Sequence, residues 1–343
     1  MGPARNLDPI FYCARMHRRT FLGALAGSAL TVPLLGETPA EAATHTVITT
    51  EQAIGRILRF NPSAWNGGSV LWKAPSRTGT WTNLSDVKRR GTAKWGNVML
   101  VTASGAGDYL GKAAMIDESA ISSGRTGGIV WQANVDGNPH SIERIEGYGA
   151  IVVATSKGAT GSAGGGGLSL FVPTTNGGRP STTRVKFYGF PGAHGVLWTR
   201  TGHLLAVGNG QIRAYTVTGS GSSTRLKFAF SGSFSDGSGR AKTGHDILPD
   251  YTAADTYFFT SSYYVRRVKL VAGPTGWHFD SMTKVSTAAH VKAYTRMPNG
   301  VRTWIVPGGG EGDWSKTVHF SSGNHSKSGA RFYRVRYNAT TYR

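Results

Sequence analysis

The sequence predicts an all-β fold, a single propeller of six blades, and three observations carry that prediction. Histidines at 140, 194, 245 and 290 recur at separations of 54, 51 and 45 residues, a period at which internal repeats point to solenoids and propellers. Each is followed by a short β-rich segment, a turn and a second such segment (AIVVATS, HLLAVGN, TYFFTSS, VRTWIVPG), the signature of antiparallel strands. Beyond the N-terminal segment no stretch has a convincing helical period, which excludes helical repeats.

Residues 1–42 stand apart. Arg18 and Arg19 precede Phe21, Leu22 and a short, Gly-containing apolar run that ends near Ala40-Glu41-Ala42. This resembles a twin-arginine export signal, and the run is too short for a transmembrane span. The expectation is a protein secreted in the folded state, with no integral membrane segment in the mature chain. The only cysteine, Cys13, lies in this segment, so the mature protein has neither disulfide nor thiolate chemistry and depends on its core for stability.

The propeller is expected over residues 46–337. TVITTEQAIGRILRFNP (46–62) supplies later strands of a blade but lacks a first one, which the C-terminal RFYRVRY can provide by closing the ring. NLSDVKRRGTAKWGNVMLVTAS (83–104) is the next unit, with Ser85 where the histidine would stand. The four histidine units follow, each with a further alternating segment, as in LSLFVP, QIRAYTV and VRRVKLV. Gly/Ser/Asn-rich turns join them, as in propeller blades. Counting gives six blades, within a range of five to seven.

The order SDVKR, MLVTASG, NPHSIE, GAHGVLW, GHDILPDY and GARFYRVRY resembles a family of secreted bacterial six-bladed propeller proteins known as a domain of unknown function. The resemblance spans nearly the whole mature chain. It implies the fold and carries no activity.

In a propeller the innermost strands line a central channel, so equivalent positions of successive blades converge. His140, His194, His245 and His290 are therefore expected to meet at one mouth, as catalytic groups or as ligands of a divalent metal ion. The bland alternative is that each histidine locks a blade junction. Strand alternation places residues two and four positions further on the same face. Val87, Ile142, Val196, Ile247 and Lys292 would then line the channel, followed by Arg89, Arg144, Trp198, Pro249 and Tyr294. Arg144 and Tyr294 join the histidines as catalytic candidates. Lys88, Arg89, Trp198, Asp246, Lys292 and Arg296 are substrate-binding candidates.

The formal charge is +20, and +19 once residues 1–42 are removed. Such a field attracts polyanions, and cations beside aromatic rings suit an anionic sugar. The basic residues do not cluster around an RNA-binding aromatic motif, so nucleic acid ranks low among partners. GAGDYLGKA (105–113) is no phosphate-binding loop, because Ala113 follows Lys112.

The leading expectation is a secreted, monomeric polysaccharide lyase acting on a uronate-containing polymer. β-Elimination needs a cation for the carboxylate, a base and an acid, and those are the residue types present. A glycoside hydrolase would need two carboxyl groups, for which Asp246 with Asp250 or Glu311 are the candidates. A non-catalytic propeller that binds anionic glycan or cell wall is the rival from another class.

Overall fold

The computed structural model describes residues 45–107, 110–158, 165–237, 243–308 and 312–342. The expected export signal and Glu311 lie outside the described residues. Six antiparallel sheets form the ring. Blade I consists of Phe332–Tyr337, Val47–Glu51, Arg56–Asn61 and Ala64–Lys73, so the C-terminal strand is its innermost. Blade II runs outward through Leu84–Thr92, Gly96–Ala103, Leu110–Ile121 and Gly127–Asp136. Blade III comprises Pro139–Ile145, Ala150–Thr155, Gly167–Phe171 and Lys186–Gly189. Blade IV comprises Gly195–Trp198, Leu204–Gly208, Gln211–Thr218 and Arg225–Ser233.

Blade V holds Gly244–Pro249, Thr256–Ser261 and Val265–Gly273, whose outer side pairs with both Gly276–Phe279 and Thr283–Ser286. Blade VI holds Ala293–Arg296, Arg302–Ile305, Thr317–Phe320 and Gly323–Ser326. The expected six blades and the expected N- and C-terminal closure are both present.

The core is not one mass but six, one between each pair of neighbouring blades. Ile142, Ile151 and Val153 of blade III pack on Leu100, Met115 and Trp131 of blade II, and Val196 and Leu204 of blade IV pack on Val152 and Leu168 of blade III. The joint of blades I and VI buries Phe60, Phe332 and Val335 against Ala293, Ile305 and Phe320. Apolar area removed from water at each joint, at roughly 25 cal/mol per Å², holds neighbouring blades face to face.

This arrangement corrects one expectation. Val87, Ile142, Val196 and Ile247 do not line the channel but lie wholly buried between blades. Pairing shifts register at Leu84/Asp86, Pro139/Ser141 and Gly244/Asp246, at the Ser85, His140 and His245 positions themselves. An extra residue there reverses the parity of every side chain beyond it. Facing inward instead is the residue after the histidine position in five blades, Asp86, Ser141, Gly195, Asp246 and Arg334, while Lys292, two residues past His290, takes the histidine position of its strand.

Candidate active site at the channel mouth

Below the mouth the channel is filled by charge. Arg336 pairs with Asp86 at 2.5 Å and with Asp246 at 2.5 Å, and Arg334 reaches Asp246 at 3.2 Å. Lys88 Nζ donates to Ser141 Oγ (3.0 Å) and to the carbonyls of Ile142 (2.8 Å) and Val196 (2.6 Å). Arg90 pairs with Glu143 at 2.7 Å. All of these groups are buried. Burial opposes ionisation of Asp86, but Arg336, Lys88 and Arg334 outweigh it and hold the carboxyl well below its usual range; burial pushes the Lys88 amine down. Buried charges of this kind persist only when paired, and here arginines on the closing strand pair the carboxylates of blades II and V.

On top of this layer lies a polar cavity of about 600 Å³. It is built from repeat-equivalent positions. Asn83 and Asn138 precede Ser85 and His140 by two residues, both with φ near +60° (59° and 60°), and Gly192 precedes His194 in the same conformation at 64°. Ser104, Ser156 and Asn209, each just past the second strand of its blade, complete the rim.

His140, His194 and His245 meet in this cavity. The rings of His140 and His194 stack 4.4 Å apart at 16°, and His245 meets His194 edge-on at 5.5 Å. Tyr333, which occupies the histidine position of the closing strand, places its hydroxyl 3.1 Å from His140 Nδ1. His194 Nδ1 lies 2.8 Å from the carbonyl of Gly192. A carbonyl only accepts, so Nδ1 carries the proton and Nε2 the lone pair. Burial lowers all three histidines, His194 to about 3, with Lys292 and Arg334 acting in the same direction. The imidazoles are therefore neutral at pH 7, and burial raises Tyr333, which keeps its proton.

Lys292 lies over the Tyr333 ring, its Nζ 5.8 Å from the centroid, and pairs with Asp313 at 2.9 Å. Burial opposes ionisation of Asp313, yet the Lys292 charge holds its carboxyl below the usual value. Two buried polar atoms of the cavity, His245 Nδ1 and Asn138 Oδ1, have no hydrogen-bond partner within the described residues. Such orphaned atoms are uncommon and suit a polar ligand.

The other expected site residues lie elsewhere. His290 is exposed at φ 59° and its N–H donates to Ser262 O. It occupies the left-handed turn position that Asn83, Asn138 and Gly192 take in their blades, so that Lys292, two residues on, stands at the histidine position of this strand. Tyr294 packs with Phe258 and Trp304 between blades V and VI, and Trp198 belongs to the core of blades III and IV. Arg144 is buried beside Glu146, Arg89 pairs with Glu118 at 2.5 Å, and Arg296 pairs with Asp250. Asp246 is tied to two arginines and Lys88 lies beneath the cavity, so neither is free to bind substrate there.

Two further expectations meet the geometry. Among the described residues no group of three His, Cys, Asp or Glu side chains is arranged to hold a metal ion. Of the carboxylates expected for a hydrolase, Asp246 and Asp250 are each held by arginines, and Glu311 lies outside the described residues. Tyr333 and Trp314 are among the cavity residues that the histidine spacing missed. Aligning RFYRVRY with the histidine segments as an innermost strand is the signal for Tyr333.

No protein-family model matches the sequence, and no curated protein matches it. Among solved structures, a 6-phosphogluconolactonase candidate from Bacteroides uniformis is similar in fold, with 10% identity, a TM-score of 0.51 and coverage of 85% of this chain and 99% of that one. A second such candidate, from Bacteroides fragilis, has 11% identity and a TM-score of 0.46 over 87% of this chain and 99% of that one. A protein from Lactobacillus plantarum has 12% identity and a TM-score of 0.49 over 82% and 80%. The six sheets of this chain and the likeness in fold to the first of these structures define the class, a six-bladed β-propeller. No helix of the described residues is long and apolar enough to cross a membrane.

Proposed function

We propose that the protein is a secreted lyase that cleaves an acidic, uronate-containing polysaccharide at this channel mouth. The observation that carries the reading is His194. It is a neutral imidazole with its Nδ1 committed to Gly192 O, beside a protonated tyrosine and a lysine. Lys292 neutralises the substrate carboxylate, which acidifies the C5 proton. His194 Nε2 takes that proton, the electron pair forms the C4–C5 double bond, and the C4–O bond breaks. Tyr333 supplies the proton to the leaving oxygen and is oriented by His140. Charge neutralisation falls to Lys292 and no step passes through a metal ion. An anion beside His194 also offsets the cations that depress its basicity.

The test is the ultraviolet absorbance of an unsaturated uronate product during incubation with polygalacturonate and alginate. The expected outcome is growth of that band, insensitive to EDTA and lost in His194→Ala. New reducing ends without the band would overturn β-elimination in favour of hydrolysis. Salt-sensitive binding with neither product would leave a non-catalytic glycan-binding propeller.

A further inference from the structure

Blades III and IV carry pentapeptides identical at four of five positions at their outer edges: Thr183-Arg184-Val185-Lys186-Phe187 and Thr224-Arg225-Leu226-Lys227-Phe228. Lys186–Phe187 and Arg225–Phe228 lie on the outermost strands of their sheets, paired on one side only, and Thr183–Val185 lead into the first of these strands. The two copies are joined, because the N–H of Leu226 donates to the hydroxyl of Tyr188, next after the first copy, at 2.9 Å. All four cations are exposed, and among the described residues none forms an ion pair. Beside them Phe187 is 39% and Phe228 54% exposed, and Arg184 lies over the Phe187 ring at 5.2 Å.

Edge strands often carry lysine simply to prevent sheet-to-sheet pairing. That does not account for this distribution. The outer strands Gly127–Asp136 of blade II and Gly323–Ser326 of blade VI contain no lysine or arginine, although they are edges too. Nor does edge protection call for exposed phenylalanine, which favours the pairing that charge prevents. Exposed cations without an ion pair beside exposed rings match a linear polymer with acidic groups and C–H faces, although the Arg225 guanidinium also donates to the carbonyls of Ser222 and Thr224.

From this distribution we infer that the outer edges of blades III and IV form a second binding surface, a basic-aromatic strip that holds an acidic polysaccharide chain away from the channel mouth. The inference rests on the reading of the mouth as a site for the same class of polymer. It requires no chemistry at the strip.

The test compares the full chain with the variant Arg184→Gln/Lys186→Gln/Arg225→Gln/Lys227→Gln. A control with equal loss of charge, Arg59→Gln/Arg77→Gln/Lys94→Gln/Lys327→Gln, separates the strip from the general field. Binding of polygalacturonate is measured against salt, with single-stranded DNA and phosphatidylglycerol vesicles as comparison ligands. The strip variant should bind polygalacturonate about tenfold more weakly with a flatter salt dependence, and the control should stay close to the native protein. Turnover of a short galacturonate oligomer should be unchanged in the strip variant.

Equal affinities for strip variant and control would overturn the inference. So would absence of polygalacturonate binding by the native protein, or a loss confined to DNA or vesicles. Strip-dependent polymer binding without turnover of any oligomer would refute the mouth reading and leave the strip standing.

Discussion

His194 and Tyr333 show how single residues acquire their chemistry from neighbours. Replacing His194 with Ala removes the proposed base and should lower turnover roughly 10²- to 10⁴-fold, read from the unsaturated product. Tyr333→Phe should reduce kcat with little change in KM, because the ring and its stack on His140 remain. The low basicity of His194 also sets a dependence of stability on pH. Its value falls from 6.5 to about 3 in the folded protein, so the unfolded chain takes up the proton first. The stabilising effect is complete above pH 6.5 and is lost as pH falls from there towards 3, with His140 and His245 acting in the same direction. Urea midpoints measured across that window should fall with acidification, and less steeply in His194→Gln.

Gly195 occupies the channel position held by Asp86, Ser141 and Asp246 in other blades. A Cβ there would lie 2.8 Å from the Ile247 nitrogen and 2.9 Å from Val207 Cγ1. Gly195→Ala should therefore destabilise by about 1–3 kcal/mol, measured by denaturant unfolding.

Among elements, the C-terminal strand matters most. It closes blade I and brings Arg334 and Arg336 to the carboxylates of blades II and V. Arg336→Met leaves Asp86 and Asp246 without their 2.5 Å partner and should cost about 3–5 kcal/mol. Asp86→Asn in the same chain should recover part of that loss, which a double-mutant cycle would measure. The histidine spacing made the innermost strands legible, since four of them announce themselves by one residue type. It did not reveal their facing. The extra residue at His140 and His245 alters parity through backbone geometry alone, and the shorter interval before His290 hid that Lys292 stands at the histidine position of its strand. Hence Ile142 and Ile247, expected in the channel, pack between blades, while Ser141 and Asp246 face inward.

At the scale of the whole molecule, the joint of blades V and VI has the smallest core, formed by Phe258, Val265, Val291 and Tyr294. A cavity of about 140 Å³ adjoins it, lined in part by Val265, Ala288 and Val291. Local opening should begin where buried apolar contact is least, so amide hydrogens of Ala293–Arg296 should exchange faster than those of Pro139–Ile145. The repeat period, the strand alternation and the absence of helical patterning determined the propeller, its six blades and the recurrence of a histidine at the start of successive innermost strands, because these follow from local sequence and ring closure. The excess of basic residues is what supports the proposal of a polyanion as partner. Only the tertiary structure decided which histidines meet, that Tyr333 completes the cluster, and that Asp246 is neutralised beneath it. Those outcomes depend on register at a bulge and on charges brought together from opposite ends of the chain, and neither leaves a periodic trace in the sequence.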